Sequence, residues 1–248
     1  MRQWPNDPTV GHLIFLDHSR TPTVDDVTDA VAHAERRGAR AVRTSALFPS
    51  AAEVVLAHGF EPIDRLALLS RPISERSTPP PGRATRPILP WHLPGVAEID
   101  RDAFGPLWGN DTSSLREIRR ATPRHHARLI RDGRAIAGFA ISGAAGDHGY
   151  LQRLAVSTTH RRSGFARDLV VDALRWMCDS GLTSVLVNTG VDNTAALALY
   201  DRLGFRRLND DLVIAEMHIG TGSDEPHHRV APDRVSQHDD PPATAPTR

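Results

Sequence analysis

The stretch that most limits what this chain can fold into runs from Tyr150 to Asp179. An apolar strand-like segment, Tyr150 to Val156, is followed by the turn Arg161-Arg162-Ser163-Gly164-Phe165-Ala166 and then by a helical pattern over Phe165 to Asp179. Leu169, Val170, Ala173, Leu174 and Met177 recur at three- and four-residue spacing, so one face of that helix is apolar. Ser180-Gly181 ends it. A strand that passes into a helix through such a turn aims several free N–H groups, and the positive end of the helix dipole, at one point. That arrangement suits a phosphate. Gly164 and Ala166 keep side chains out of the approach, and Gly164 also has access to conformations closed to other residues. Arg161, Arg162 and Arg167 add positive charge around the turn.

The rest of the composition excludes several other classes. Thirty basic residues balance thirty acidic ones, so the chain is formally neutral and has no bulk electrostatic case for nucleic acid or membrane partners. The thirty are all arginine, which rules out lysine chemistry such as a Schiff base. Cys178 is the only cysteine, so neither an intrachain disulfide nor a cysteine-based zinc site is possible. The first residues lack a signal-peptide pattern, and no apolar run approaches the roughly 18 residues that span a bilayer. The expected location is cytoplasmic.

Two segments are poor in large apolar residues: Ser74 to Arg86, with Pro79-Pro80-Pro81-Gly82, and the tail from about Gly220 to Arg248. Neither buries enough surface to offset its ordering entropy, so the first reads as a linker and the second as a disordered tail. The expected division is 1–73, a 74–85 linker, 86–219, and 220–248. In the third part the pattern predicts a short apolar piece at Pro87 to Pro90 and helices over Val96 to Phe104 and Ser113 to Ala121. Strands over Ala127 to Ile130 and Ala135 to Ile141 are joined by Asp132-Gly133. After the glycine turn and its helix come a strand at Ser184 to Val187, a helix at Asn193 to Leu203 and a strand at Leu212 to His218.

The first part repeats this ending. Asp25 to Gly38, Arg40 to Leu47, Pro49 to Gly59-Phe60 and Arg65 to Arg71 run helix, strand, helix, strand, and Gly59-Phe60 aligns with Gly204-Phe205. The pattern reads as an internal repeat, although any such unit ending in Gly-Phe would align this way. The first copy has Thr21-Pro22-Thr23-Val24 where the glycine turn should be, and Val55 opposite Tyr200.

Leu151-Gln152-Arg153-Leu154-Ala155-Val156, Arg161-x-x-Gly164-x-Ala166, Asn193-x-x-Ala196-x-x-Leu199-Tyr200 and Gly204-Phe205 resemble, in order and spacing, the GCN5-related N-acetyltransferase (GNAT) family over about Thr85 to Ile219. The resemblance implies an α/β fold of the α+β type, a mixed and mostly antiparallel sheet flanked by helices, here preceded by a partial unit of the same kind. In that fold the cofactor, acetyl-CoA, lies where two neighbouring strands splay apart. By the resemblance, the backbone of Leu154, Ala155 and Val156 pairs with pantetheine as if with an added strand. The turn from Arg161 through Arg162, Ser163, Gly164, Phe165 and Ala166 to Arg167 holds the diphosphate, Asn193 bonds the pantetheine arm, and Tyr200 is the general acid for the departing thiolate.

Two positions depart from the family pattern. Thr158 stands where many members have proline, and Asn188 stands where related ribosomal-protein N-terminal acetyltransferases place a glutamate base. An amide is no base at neutral pH, which leaves Asp192, Asp147, His148 and His125 as alternatives. Outside the motif, residues also have plainer readings: Tyr200 as a core aromatic, Asp147-His148 as a polar hairpin tip, and Arg116, Arg119, Arg120 and Arg124 as a solvated face. His125 and His126, adjacent on a strand, face opposite ways and make no metal pair. Trp108 is expected in the loop between the first two helices, which in this family lines the acceptor site; substrate packing and core packing both suit it.

The expected activity is acetyl transfer from acetyl-CoA to a primary amine of a peptide or protein N-terminus or of a small molecule. Asp100-x-x-x-Phe104-x-x-x-Trp108 looks somewhat like the start of protein N-terminal acetyltransferases. The alternative is an acyl-CoA-binding regulatory or scaffold module without turnover. The first half is expected to pack on the second as an intrachain pseudo-dimer partner, which would leave the protein monomeric.

Overall fold

The computed structural model describes residues 2–4, 7–15, 20–74, 80 and 82–220, so the tail expected from 220 on lies outside the described residues but for Gly220. The strands and helices are β1 (Arg2–Trp4), β2 (Asp7–Leu13), α1 (Val24–Arg36), β3 (Ala41–Thr44), α2 (Pro49–Ala57), β4 (Glu61–Pro72), β5 (Arg86–Pro87), α3 (Leu93–Trp108), α4 (Thr112–Arg120), β6 (Arg124–Asp132), β7 (Ala135–Ala145), β8 (His148–Val156), α5 (Phe165–Asp179), β9 (Ser184–Gly190), α6 (Thr194–Arg202) and β10 (Arg206–His218). Among these, β1 and β2 have no counterpart in the sequence pattern. β2 carries Pro8, Gly11 and His12 within seven residues, and its alternation is too weak to announce a strand.

All ten strands form one sheet in the order β1-β2-β3-β10-β4-β9-β8-β7-β6-β5. Most neighbours are antiparallel; β2–β3 and β8–β9 are the two parallel pairs. The order reads the same from either side of the β10–β4 pair when β4 is matched with β10, β3 with β9, β2 with β8 and β1 with β7. Local geometry matches as well. After α2, Phe60 donates its N–H to the Val55 carbonyl, and after α6, Phe205 does the same to Tyr200. Gly59 and Gly204 take φ of 94° and 81°, left-handed values that end each helix without strain.

The two stretches on either side of the linker do not form separate sheets. β4 lies between β10 and β9, in register from Leu66 opposite Gly190 to Pro72 opposite Ser184. β10 in turn pairs with both β3 and β4. Each half thus gives its last strand to the other. Of the stretch expected as a linker, 75–79 and 81 lie outside the described residues, and Arg83 and Thr85 are bonded to side chains of α5.

Three cores follow from this layout. Ala67, Leu69, Val185, Val187 and the apolar face of α5 form one. Leu93, Val96 and Leu115 of α3 and α4 cover Leu129, Phe139 and Ile141 of β6 and β7 on the opposite face. Val27, Val42, Val55, Phe60 and Ala215 form the third, under α1 and α2. Strand alternation then places Asp64, Leu66 and Leu68 of β4, and Asn188 of β9, on the face turned away from α5.

Candidate active site

β8 and β9 pair only over His148–Ser184, Gly149–Val185 and Tyr150–Leu186. Beyond that point β9 stays with β4 and β8 stays with β7, so the β8 edge from Leu151 to Val156 faces a gap. A bulge between Leu151 and Arg153 bends β8 there: the register with β7 shifts at that place. Leu154, Ala155 and Val156 each have a β7 partner on one side only, which leaves an edge available to an extended ligand.

The gap ends at the glycine turn. Arg162 has φ 64°, the sole left-handed non-glycine residue among those described, and Gly164 follows with φ 84° as the N-cap of α5. Among the described residues no side chain caps this helix, and the N–H groups of Phe165, Ala166 and Arg167 have no intrahelical partner. α1, at the matching place in the first half, differs in the one respect that matters for an anion. Thr23 and Asp26 form a capping box there, with Asp26 N–H donating to Thr23 Oγ1 at 3.2 Å and the Asp26 carboxylate accepting from Thr23 N–H at 2.8 Å. The carboxylate fills the place of an anion and repels another. An uncapped helix start, an open strand edge and the arginines at 161, 162 and 167 fit a diphosphate joined to an extended amide arm.

Asn193 and Tyr200 lie on α6 across the gap. Asn193 is the N-cap, its Oδ1 accepting from Ala196 N–H at 3.1 Å, so only its amide N–H groups remain to donate. Tyr200 is 4% exposed, tilted against Phe205 at 5.3 Å between ring centroids. Burial pushes its phenol well above the ordinary value, so it keeps its proton and is a donor, never a base. Thr158 N–H donates to Asp102 of α3 at 3.2 Å, a bond that a proline would forfeit.

The region before α4 is organised around one guanidinium. Arg153 of β8 bonds the fully buried Asp100 carboxylate twice at 2.7 Å, bonds the Trp108 carbonyl at 2.7 Å and lies 3.4 Å over the Phe104 ring. Asp100 and Phe104, four residues apart, thus share one helix face, and the same side chain holds the Trp108 carbonyl beyond the break at Gly105. Trp108 is the last residue of α3 rather than part of a loop. It follows a break at Gly105 (φ 72°), and its ring meets Trp4 of β1 at 5.6 Å. Arg43 of β3, paired with Glu216, sits over Trp4 at 4.5 Å and over Trp108 at 5.6 Å. The first half therefore touches the helix end beside the gap.

The four alternatives for a base separate cleanly. His125, Asp147 and His148 lie at the far end of the sheet, where β8 and β9 are still paired. Asp192 follows β9 at the open end, next to Asn193. There it meets Asp64 of β4, a residue with no signal in the sequence: burial raises the Asp64 carboxyl first and the charge of Asp192 raises it further, against a lowering bond from Arg65 N–H. Asn188 is exposed on β9, opposite Leu68.

Residues 93–205 match the acetyltransferase (GNAT) family model. This stretch, a little under half of the chain, is a GNAT domain. The chain is accordingly an acetyl-CoA-dependent N-acetyltransferase. It is similar to the mycothiol acetyltransferase of Catenulispora acidiphila, 28% identical over 228 residues, which is 83% of this chain and 71% of that protein. It is also similar to the N-alpha-acetyltransferase MAK3 of Arabidopsis thaliana, 43% identical over 67 residues, 25% of this chain and 35% of that protein. Among solved structures, a tandem GNAT protein from the clavulanic acid biosynthesis pathway superposes with a TM-score of 0.60 at 14% identity, covering 86% of this chain and 77% of that one. No helix among the described residues is long and apolar enough to cross a membrane.

Proposed function

We propose that this GNAT-family protein acetylates the primary amine of a small molecule, with its cofactor lying between β8 and β9 and the diphosphate on the N-terminus of α5. The observation that carries the cofactor placement is the three-pair contact of β8 with β9, which ends beside a helix start that no side chain caps. The small acceptor is favoured by the extent of the likenesses: the mycothiol acetyltransferase aligns over most of the chain, the N-alpha-acetyltransferase over a quarter of it.

Acetyl-CoA, when bound, supplies an acetyl group activated as a thioester. Leu154, Ala155 and Val156 hold the amide arm through their free backbone edge, Asn193 donates to it through its side-chain N–H groups, and the α5 N-terminus with Arg161, Arg162 and Arg167 holds the phosphates. Asp64, with Asp192 beside it, accepts the proton of the attacking amine, the task Asn188 has no chemistry for. Tyr200, whose phenol stays protonated, would be the proton donor to the departing thiolate of a bound cofactor and would be reprotonated from water. The first half is a degenerate copy of the second that supports the site and binds no cofactor. Its plugged helix start, at Thr23 and Asp26, supports this reading.

The test is thiol release from acetyl-CoA with panels of small amines and of N-terminal peptides. Release with a small amine is the expected result. Release with peptides alone would transfer the acceptor to the protein class, and cofactor binding with no release on any amine would favour the regulatory module.

A further inference from the structure

The residues between the two halves reach the cofactor cradle. Gly82 lies so close to Asp168 of α5 that a side-chain carbon there would collide with its carboxylate. Thr85 Oγ1 donates to Asp172 at 2.7 Å and accepts from Arg128 Nε at 2.9 Å, which fastens the segment along α5 and against β6. Arg83, between these anchors, bonds Asp168 Oδ2 through Nη1 at 2.7 Å and lies 4.7 Å from the centre of the Phe165 ring. The same Nη1 stands 3.3 Å from where a Cβ on Gly164 would be. Asp168 is almost fully buried, whereas the Arg83 side chain is 52% exposed. One nitrogen of the guanidinium is therefore spent on positioning it, and the half-exposed guanidinium stays beside the turn.

We infer that Arg83 is a phosphate-binding residue of the coenzyme A site, delivered by the chain that joins the halves and aimed by Asp168 and Phe165. The inference rests on the proposed placement of the cofactor. Its physical basis is the match between a planar guanidinium and a phosphate oxygen, in a place where the helix dipole and the free N–H groups already favour negative charge. A cofactor contact outside the family-matched residues would also tie the segment between the halves to occupancy of the site.

Calorimetry with acetyl-CoA on the full chain tests it, using the wild type, Arg83→Ala and Asp168→Asn. The expected result is a Kd about tenfold higher for Arg83→Ala, the effect of one charge-assisted hydrogen bond. Asp168→Asn keeps the arginine and a side-chain oxygen that can still accept from it, so it is expected to raise the Kd by less than Arg83→Ala does. An unchanged or lower Kd for Arg83→Ala overturns the inference. So does weakening by Asp168→Asn equal to that of Arg83→Ala, because the ion pair would then matter only for structure. A wild type that binds no acetyl-CoA would instead overturn the placement of the cofactor itself.

Discussion

Tyr200 and Asp64 make the sharpest pair at the scale of single residues, because one was legible in the chain and the other was not. Tyr200 stood in a spaced run with Asn193 and Gly204-Phe205, and all of these fall on one helix or beside its ends. Asp64 lies more than a hundred residues away and reaches the open end of β9 only because β4 is exchanged between the halves. Nothing in a linear pattern reports an exchanged strand. Tyr200→Phe should lower kcat by about 10² to 10³ while leaving the acetyl-CoA Kd within about twofold, since the ring packing is kept and only the donor is lost. Asp64→Asn should lower kcat and remove the acidic limb of the pH–rate profile. That limb rises through a carboxyl value lifted above the ordinary range, because the base works only once deprotonated. The sign for stability is opposite. A carboxyl raised in the folded state favours the protonated form, so Asp64 contributes most below its unfolded value, and that contribution fades as the pH rises through the folded one.

The helix starts and the guanidinium hub belong to the scale of elements. α5 begins on a glycine with φ 84° and no side-chain cap, whereas α1 begins on a full capping box. The contrast between Gly164 and Thr23 was visible in the residues, since glycine supplies no oxygen and threonine does. Gly164→Ala should cost about 1–2 kcal/mol of stability for the left-handed backbone and should weaken acetyl-CoA binding as the turn relaxes. Denaturant midpoints and calorimetry check the two parts separately. Asp100 and Arg153 were both in motifs, but their mutual pairing needed the bulge in β8 to bring one side chain under a whole helix face. Asp100→Ala leaves a mostly buried guanidinium without its anion, and a loss of about 3–5 kcal/mol is expected. The α3 end with Trp108 should then exchange amide hydrogens faster than in the wild type.

For the whole molecule, the exchange of β4 and β10 decides what can exist alone. The glycine turn and the order of elements were readable because they rest on local spacing and on turns that need positive φ. The interleaving of the halves was not, because strand neighbours are chosen by packing across the sheet, and the two candidate edges have similar apolar patterns. A fragment of 86–219 lacks the strand between β9 and β10. It should fail to give a cooperative unfolding transition, and adding 1–73 in trans should restore one. With the pseudo-two-fold satisfied inside the chain, the molar mass in light scattering should be that of a monomer.

The proposed function requires one half of this pseudo-symmetric sheet to hold the cofactor and the other only to support it. Titration calorimetry of the full chain with acetyl-CoA counts the sites. One site per chain is expected, weakened by Gly164→Ala and indifferent to Thr23→Gly. Two sites per chain, no binding, or a Kd that ignores Gly164→Ala would rule the proposal out.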